Sequence, residues 1–238
     1  MGAIKTVFHM HTNHSPDCNK SVEELIALSQ ARGIGCITIT DHDTISGARE
    51  MVAKAPPGLK VIVGEEVSTT AGHIIGLYLH EPIEPERSPR ETALAIKKQG
   101  GLVVIPHPYN RIFGCGLCRH LDEVVDLIDV VEVSNAQNLR SSPNRRAHQF
   151  AREHGFPQIV GVDMHHSDNL DACYQWLEPF ETPEQFVASL RRASFVTGRH
   201  KLSYFGWTAW YLFLDRSGIG CPAAFGLHAR SAGSAHRL

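Results

Sequence analysis

The chain has 238 residues, 42% hydrophobic and 20% charged, enough apolar material for one large core and a single domain, α/β barrels included. A formal net charge of -2 without a dense Lys/Arg run does not indicate broad attraction to nucleic acid or to an anionic membrane.

The N-terminus passes directly into a strand-like run, Thr6 to His9, with no long apolar leader, so cytoplasmic residence is expected. Ser21, with Glu24 three residues on, opens a helix predicted over Val22 to Arg32 and stopped at Gly33. Strand Cys36 to Thr40 and helix Ile45 to Ala55 follow, then strands Lys60 to Val63 and His73 to Leu79. Helix Pro89 to Gln99, halted by Gly100, leads into strand Leu102 to Ile105 and helix Leu121 to Leu127. Strand Val130 to Val133, helix Asn144 to His154, strand Ile159 to Val162 and helix Pro183 to Ala193 complete the alternation. Roughly seven strands in this βαβ rhythm predict a parallel barrel. Past about Lys201 the pattern fails, which predicts a domain over 1–200 and a divergent C-terminal tail of unknown role over 201–238. The longest apolar run, Phe205 to Leu214, is too short to cross a bilayer. Six scattered cysteines suit reduced thiols, and Cys115-Gly-Leu-Cys118 lacks the second pair that a zinc ribbon needs.

The chemistry collects at strand ends. His9-Met10-His11 closes the first strand, and alternation along an extended chain points both imidazoles to one side. With 15 histidines in the chain, roughly one such pair arises by chance, so this pair alone decides nothing. Other strands end alike: Thr40-Asp41-His42-Asp43, Gly64-Glu65-Glu66-Val67-Ser68, Pro106-His107-Pro108 and Gly161-Val162-Asp163-Met164-His165. In a parallel barrel these ends open on one face and converge on one cleft. So many carboxylates and imidazoles would repel or be costly to desolvate unless cations neutralise them. The mixed nitrogen and oxygen donors suit Zn²⁺, Mn²⁺ or Fe²⁺ better than Ca²⁺, with Mg²⁺ also compatible.

These motifs resemble the polymerase and histidinol phosphatase (PHP) domain family. They are His9-Met-His11-Thr followed by Asp17, Thr40-Asp-His42-Asp, Gly64-Glu-Glu66-Val-Ser, His73, Pro106-His107-Pro and Gly161-Val-Asp163-Met-His165. They stand in family order over residues 4 to about 195. The resemblance implies a distorted (β/α)7 TIM-like barrel with a metal site at the C-terminal ends of its strands, acting as a metal-dependent phosphoesterase on a small phosphorylated substrate. It implies two or three divalent ions: one on His9, His11, Glu66 and Asp163; a second sharing Glu66 with His73 and His107; a third on Asp17, His42 and His165. Through these ions His9, His11, Glu66, Asp163 and His165 would serve catalysis, in which activated water attacks phosphorus. Glu65 competes with Glu66 for the bridging place. His166 beside His165 and the chain after Gly198 depart from the family pattern.

His73 begins its predicted strand instead of ending it, so a buried structural histidine is the rival reading there. Arg111, just after a strand-end ligand, and Asn135 are the candidate substrate-binding groups. Asp41 and Asp43 are either partners that fix the His42 tautomer or solvated turn residues. Two other functions stay open. One is an amidohydrolase-type hydrolase, although no lysine sits at a strand end between His42 and His107 to serve as a bridge. The other is a noncatalytic metal-binding module of the same family.

Overall fold

The computed structural model describes residues 2–110, 116–166, 169–200 and 204. The chain divides into two compact units, Met1–His200 and Lys201–Leu238, and the strands and helices named here lie in the first. In order these are β1 (Ile4–Met10), α1 (Val22–Ala31), β2 (Cys36–Ile39), α2 (Ser46–Lys54), β3 (Lys60–Thr69), β4 (Gly72–Leu77) and α3 (Pro89–Lys98). They continue with β5 (Leu102–Ile105), β6 (Val130–Asn135), α4 (Ser141–His154), β7 (Gln158–Met164), β8 (Tyr174–Leu177), α5 (Pro183–Leu190) and β9 (Ser194–Val196).

Local chemistry sets the helix ends. Ser21 and Ser88 each accept a hydrogen bond from a glutamate amide three residues on, while that glutamate bonds back, so α1 and α3 begin with complete capping boxes. Gly155, at φ 71, ends α4 in the left-handed conformation that glycine adopts most easily. The predicted helix at Leu121 to Leu127 is instead two 3-10 turns, Leu121–Glu123 and Val125–Leu127, separated by Val124 at φ -127.

Strands pair in the order β2-β3-β4-β5-β6-β7-β1, and a further β1–β2 pairing closes them into a seven-stranded barrel. The wholly parallel expectation needs one correction, because β4 runs antiparallel to both β3 and β5. The cause is length. Strand β3 continues to Thr69, which pairs with Gly72, and the two residues between them can close a hairpin but not a parallel crossover. The start of β4 therefore lies at the mouth where its neighbours end. Strands β8 and β9, which the sequence pattern did not predict, extend the sheet antiparallel from the first half of β1, Ile4 to Thr6.

Two apolar layers hold the barrel. Phe8, Cys36, Ile62, Ile75, Val104, Val130 and Ile159, one from each barrel strand, form an inner cluster with Phe180, Phe186 and Leu190. Cys36 and Val130 open their strands, so this layer fills the end opposite the mouth and α5 plugs it. A second cluster packs α1 to α4 on the outer strand faces. Among the described residues no helix is long and apolar enough to cross a membrane.

Phe186 is fully buried against Phe8, Tyr78 and Phe180, with ring centroids 6.0, 5.7 and 5.1 Å away. Truncation leaves a void that a closed barrel cannot collapse. Phe186→Ala is expected to lower unfolding stability by about 3–5 kcal/mol, read from urea denaturation midpoints, while bound-metal stoichiometry stays unchanged.

Candidate metal centre

Glu66 sits at the middle of the mouth with 1% exposure. Its Oε2 lies 2.9 Å from His9 Nε2, 3.3 Å from His11 Nε2 and 3.6 Å from His42 Nε2. Its Oε1 lies 2.8 Å from His73 Nδ1 and 3.0 Å from His107 Nε2. Asp163 Oδ1 faces the same space, 3.7 Å from His9 Nε2 and 3.6 Å from His11 Nε2. On the outer side Asp17 Oδ2 meets His165 Nε2 at 3.0 Å and His42 Nε2 at 3.5 Å. All nine candidate ligands named from the sequence come together. His73 is among them because β4 runs backwards.

The donor atoms form overlapping sets, each with all its atoms within 4.8 Å of one another: His9, His11 and Glu66; His9, His107 and Asp163; His42, Glu66 and His73; and His11, Asp17, His42 and His165. His11 is fully buried; its Nδ1 has no hydrogen-bond partner, and its Nε2 faces the carboxylates of Glu66 and Asp163 at 3.3 and 3.6 Å. A buried imidazole so loosely partnered is costly, and a cation beside Nε2 would satisfy it. Nitrogen and carboxylate donors without thiolate fit a divalent ion such as Zn²⁺, Mn²⁺ or Fe²⁺.

Neighbouring glutamates point to opposite faces of β3. Glu65 turns from the cluster and accepts the Ile83 N–H at 2.7 Å, and burial pushes its carboxyl up to about 7. Glu66, not Glu65, faces the histidines.

Three of the clustered residues have positive φ: His9 at 60°, His107 at 27° and Asp163 at 52°. Non-glycine residues in this region are strained. Strand β1 slips register against both β2 and β7 around His9, and the His9 N–H bonds to Thr38 Oγ1 at 3.0 Å. A bulge at a strand end thus aims His9, where the sequence pattern suggested plain alternation.

Glu132, which the sequence reading missed, lies beneath these ligands with 1% exposure. Its Oε1 accepts from His9 Nδ1 at 2.9 Å, and its Oε2 accepts from the His107 N–H at 2.6 Å and from Asn135 Nδ2 at 3.0 Å. A carboxylate on Nδ1 leaves His9 Nε2 to face the cluster. Gly161 makes room for it, since a Cβ there would lie 1.6 Å from Glu132 Oε1. A lone acid within the apolar run Val130-Val131-Glu132-Val133 was the available signal.

Asn135 Nδ2 also donates to Asp163 Oδ2 at 2.9 Å, and its Oδ1 accepts the Gln137 N–H at 2.8 Å. Its side chain thus faces Glu132, Asp163 and Gln137, and it is 1% exposed. Gln137 Nε2 lies 3.0 Å from His165 Nδ1 and 2.8 Å from the Asp163 carbonyl oxygen, a contact with no signal in the sequence. Asp41 accepts from Thr12 N and Oγ1, and Asp43 from Ser68 N and Oγ. Both carboxylates therefore fix neighbouring loops and not the His42 ring. Arg111 lies outside the described residues.

Charge is matched within the cluster. Burial lowers the pKa of His9, but Asp163, Glu66 and Glu132 outweigh it and hold the ring well above its ordinary value. Burial likewise opposes protonation of His42, yet Glu66 and Asp17 raise it to about 10. Glu66, Asp163 and Asp17 are held well below the usual carboxylate range by the surrounding histidines, against burial.

Comparison with known proteins agrees with this geometry. Residues 8–138 match the family model of the PHP domain, and residues 141–195 match that of the PHP-associated region. An uncharacterised protein of Methanocaldococcus jannaschii is 39% identical over 146 residues, 56% of this chain and 82% of that one. Among solved structures, a protein of Bifidobacterium adolescentis assigned as a metal-dependent phosphoesterase superposes with a TM-score of 0.61 at 16% identity, covering 83% of this chain and 97% of that one. An amidohydrolase from Chromobacterium violaceum gives a TM-score of 0.55 at 18% identity, covering 67% of this chain and 87% of that one. At these identities the structural likeness speaks for the fold.

Two outcomes are expected. Glu132→Gln should weaken metal binding about 10–100-fold in chelator competition while the circular dichroism spectrum is kept, as for other groups that orient a ligand; unchanged affinity would remove Glu132 from the site. Divalent ions must displace protons from His9, His11 and His42, whose pKa values are raised. Metal loading near neutral pH should therefore release protons and tighten as pH rises, and a calorimetric enthalpy that does not depend on the buffer would contradict it.

Proposed function

The chain belongs to the PHP domain family, and from that premise we propose that it is a metal-dependent phosphoesterase that hydrolyses a small phosphate ester at the barrel mouth. The observation that carries this reading is Glu66, whose two oxygens divide five histidines between them. One carboxylate placed in this way can join two ions through separate oxygens.

In this reading His9, His11, Glu66 and Asp163 would hold one ion, His73 and His107 with Glu66 a second, and Asp17, His42 and His165 a third. The donor sets His9–His11–Glu66 and His11–Asp17–His42–His165 support the first and third, whereas His73 groups with His42 and Glu66, and His107 with His9 and Asp163. Bound divalent ions would polarise phosphoryl oxygens and lower the pKa of water toward neutrality. The chain's own groups supply orientation. Glu132 holds the His9 ring, Asn135 holds Asp163, and Gln137 spans from the Asp163 carbonyl to His165. Exposure grades across the cluster: His9 and His11 side chains are 0% exposed, His42 16%, His73 24% and Asp17 35%. The ester therefore enters from the side of Asp17, His42 and His73, and the inner ligands stay dry, where charges act most strongly on a developing oxyanion.

An amidohydrolase reading has less support. Among the described residues its bridging lysine has no counterpart, since Lys60 opens β3 and its ammonium meets the Phe180 carbonyl and Glu181.

Purified protein reconstituted with Mn²⁺, Zn²⁺, Fe²⁺ or Mg²⁺ should hydrolyse a chromogenic phosphomonoester and lose that activity on exhaustive chelation. His11→Ala should lower kcat/KM by more than about a hundredfold, beyond the usual cost of losing an orienting group. Turnover that survives chelation, or turnover confined to lactones and cyclic amides, would overturn the proposal.

A further inference from the structure

One loop gathers every member of the outer donor set, His11, Asp17, His42 and His165. Residues 12–19 lie between β1 and α1, and the foot of the loop is pinned where Thr12 N and Oγ1 donate to Asp41 at 2.5 and 2.8 Å. The Asn13 N–H donates to the Lys20 carbonyl at 2.7 Å and closes the neck. From that frame the Cys18 thiol donates to the His11 carbonyl at 3.3 Å, and the Asn19 N–H donates to the His165 carbonyl at 3.2 Å. One hydroxyl holds the other two ligands. Ser15 Oγ donates to Asp17 Oδ1 at 2.8 Å and accepts the His42 N–H at 3.2 Å.

Asp17 is the ligand that most needs such help. It stands on a loop instead of a strand end, and its side chain is 35% exposed, so fixing it in one rotamer costs entropy. Ser15 is 1% exposed and is itself fixed by the backbone: its N–H donates to the Thr12 carbonyl at 3.0 Å, and its carbonyl accepts the Cys18 N–H at 3.3 Å. Pro16 locks its own φ and narrows the range open to Ser15. The backbone therefore sets the hydroxyl, and the hydroxyl sets the carboxylate. With Oδ1 taken by Ser15, Asp17 turns Oδ2 to His165 Nε2 at 3.0 Å and His42 Nε2 at 3.5 Å. The inner ligands His9 and His107 are fixed by a separate group, Glu132.

We propose that Ser15 is a positioning residue that assembles the outer ion's site, through Asp17 and His42 together, and that this ion is gained and lost independently of the inner two. The proposal rests on the assignment of a third ion to Asp17, His42 and His165 in the phosphoesterase reading. Its consequence is control of the mouth by metal supply. As free metal falls, the protein passes through a form that keeps the inner ions and empties the side where Asp17 and His42 are exposed, which is the side where the ester enters. Ser15 sets the metal concentration at which that form appears.

Titration of metal-free protein with Zn²⁺ in chelator buffers, with bound metal counted by atomic emission, tests this without turnover. Asp17→Asn identifies the outer ion's step in the titration, and Glu132→Gln identifies an inner one. Ser15→Ala should weaken the outer ion alone, by about 10–100-fold, and leave the inner two unchanged. Ser15→Thr keeps a hydroxyl and should restore most of the loss. Ser15→Cys, a weaker donor of similar shape, should fall between them, and it carries the test if the alanine variant folds poorly. Ser15→Ala should cost less in an Asp17→Asn background than alone, and its full effect in a Glu132→Gln background. Parallel loss of all three ions, no change in any, or a folded threonine variant no better than alanine would overturn the proposal. Wild-type protein that takes up no third ion, or whose uptake Asp17→Asn leaves untouched, would sink the three-ion assignment and the proposal with it. Three ions bound in the expected pattern by a protein that hydrolyses no phosphate ester would leave the role of Ser15 standing and sink the phosphoesterase reading instead.

Discussion

One buried carboxylate, Glu66, lies within 3.6 Å of a ring nitrogen on each of five histidines, His9, His11, His42, His73 and His107. Charges taken out of water at this density are tolerated only when each meets an opposite charge. The carboxylates of Glu66, Asp163, Asp17 and Glu132 provide the negative side, and either imidazolium protons or metal ions provide the positive. The two fillings compete for the same nitrogens, which makes proton and metal occupancy opposite faces of one equilibrium. Glu66 holds the middle of that balance, since its two oxygens meet ring nitrogens on both the His9–His11 side and the His73–His107 side, while Glu132 spans the same sides from beneath, through the His9 ring and the His107 amide.

The barrel gives up backbone comfort to build this cluster. Left-handed conformations at His9, His107 and Asp163 cost on the order of 1–3 kcal/mol each. They persist because the surroundings fix them: Thr38 takes the His9 amide, Glu132 takes the His107 amide, and Asn135 holds the Asp163 carboxylate. Strain is not confined to the mouth: Tyr78, packed on Phe186 in the apolar layer at the other end, also has a positive φ of 61°.

How much of this was legible in the sequence follows from which interactions are local. Acids and imidazoles recur at strand ends, and a barrel turns that one-dimensional pattern into a cluster, so the strand-end candidates could be named from the residues, while Asp17 and His73 came from the resemblance to the PHP family. His73 was ambiguous because strand direction is not local: it depended on β3 running to Thr69 and leaving two residues for a turn. Strands β8 and β9 escaped notice because they are partly polar and partly exposed, unlike the equally short but wholly apolar or β-branched β2 and β5. Glu132 was visible only as an oddity, an acid in an apolar run, and its partners come from β1, β5 and the end of its own strand. Gln137 carried no pattern at all.

Net charge is the summary most easily misread. A total of -2 describes a chain whose acids are largely committed: several neutralise surface lysines and arginines in pairs, and others are sunk in the mouth facing histidines. Exposed pairs of the first kind add little to stability, but they remove both partners from the outside field. What remains visible to a charged ligand is the residue of that pairing, and along α4 it is positive. At long range the net charge of -2 decides the field, while close to the surface of α4 the arginines Arg145, Arg146 and Arg152, with Glu153 beside them, set the local potential.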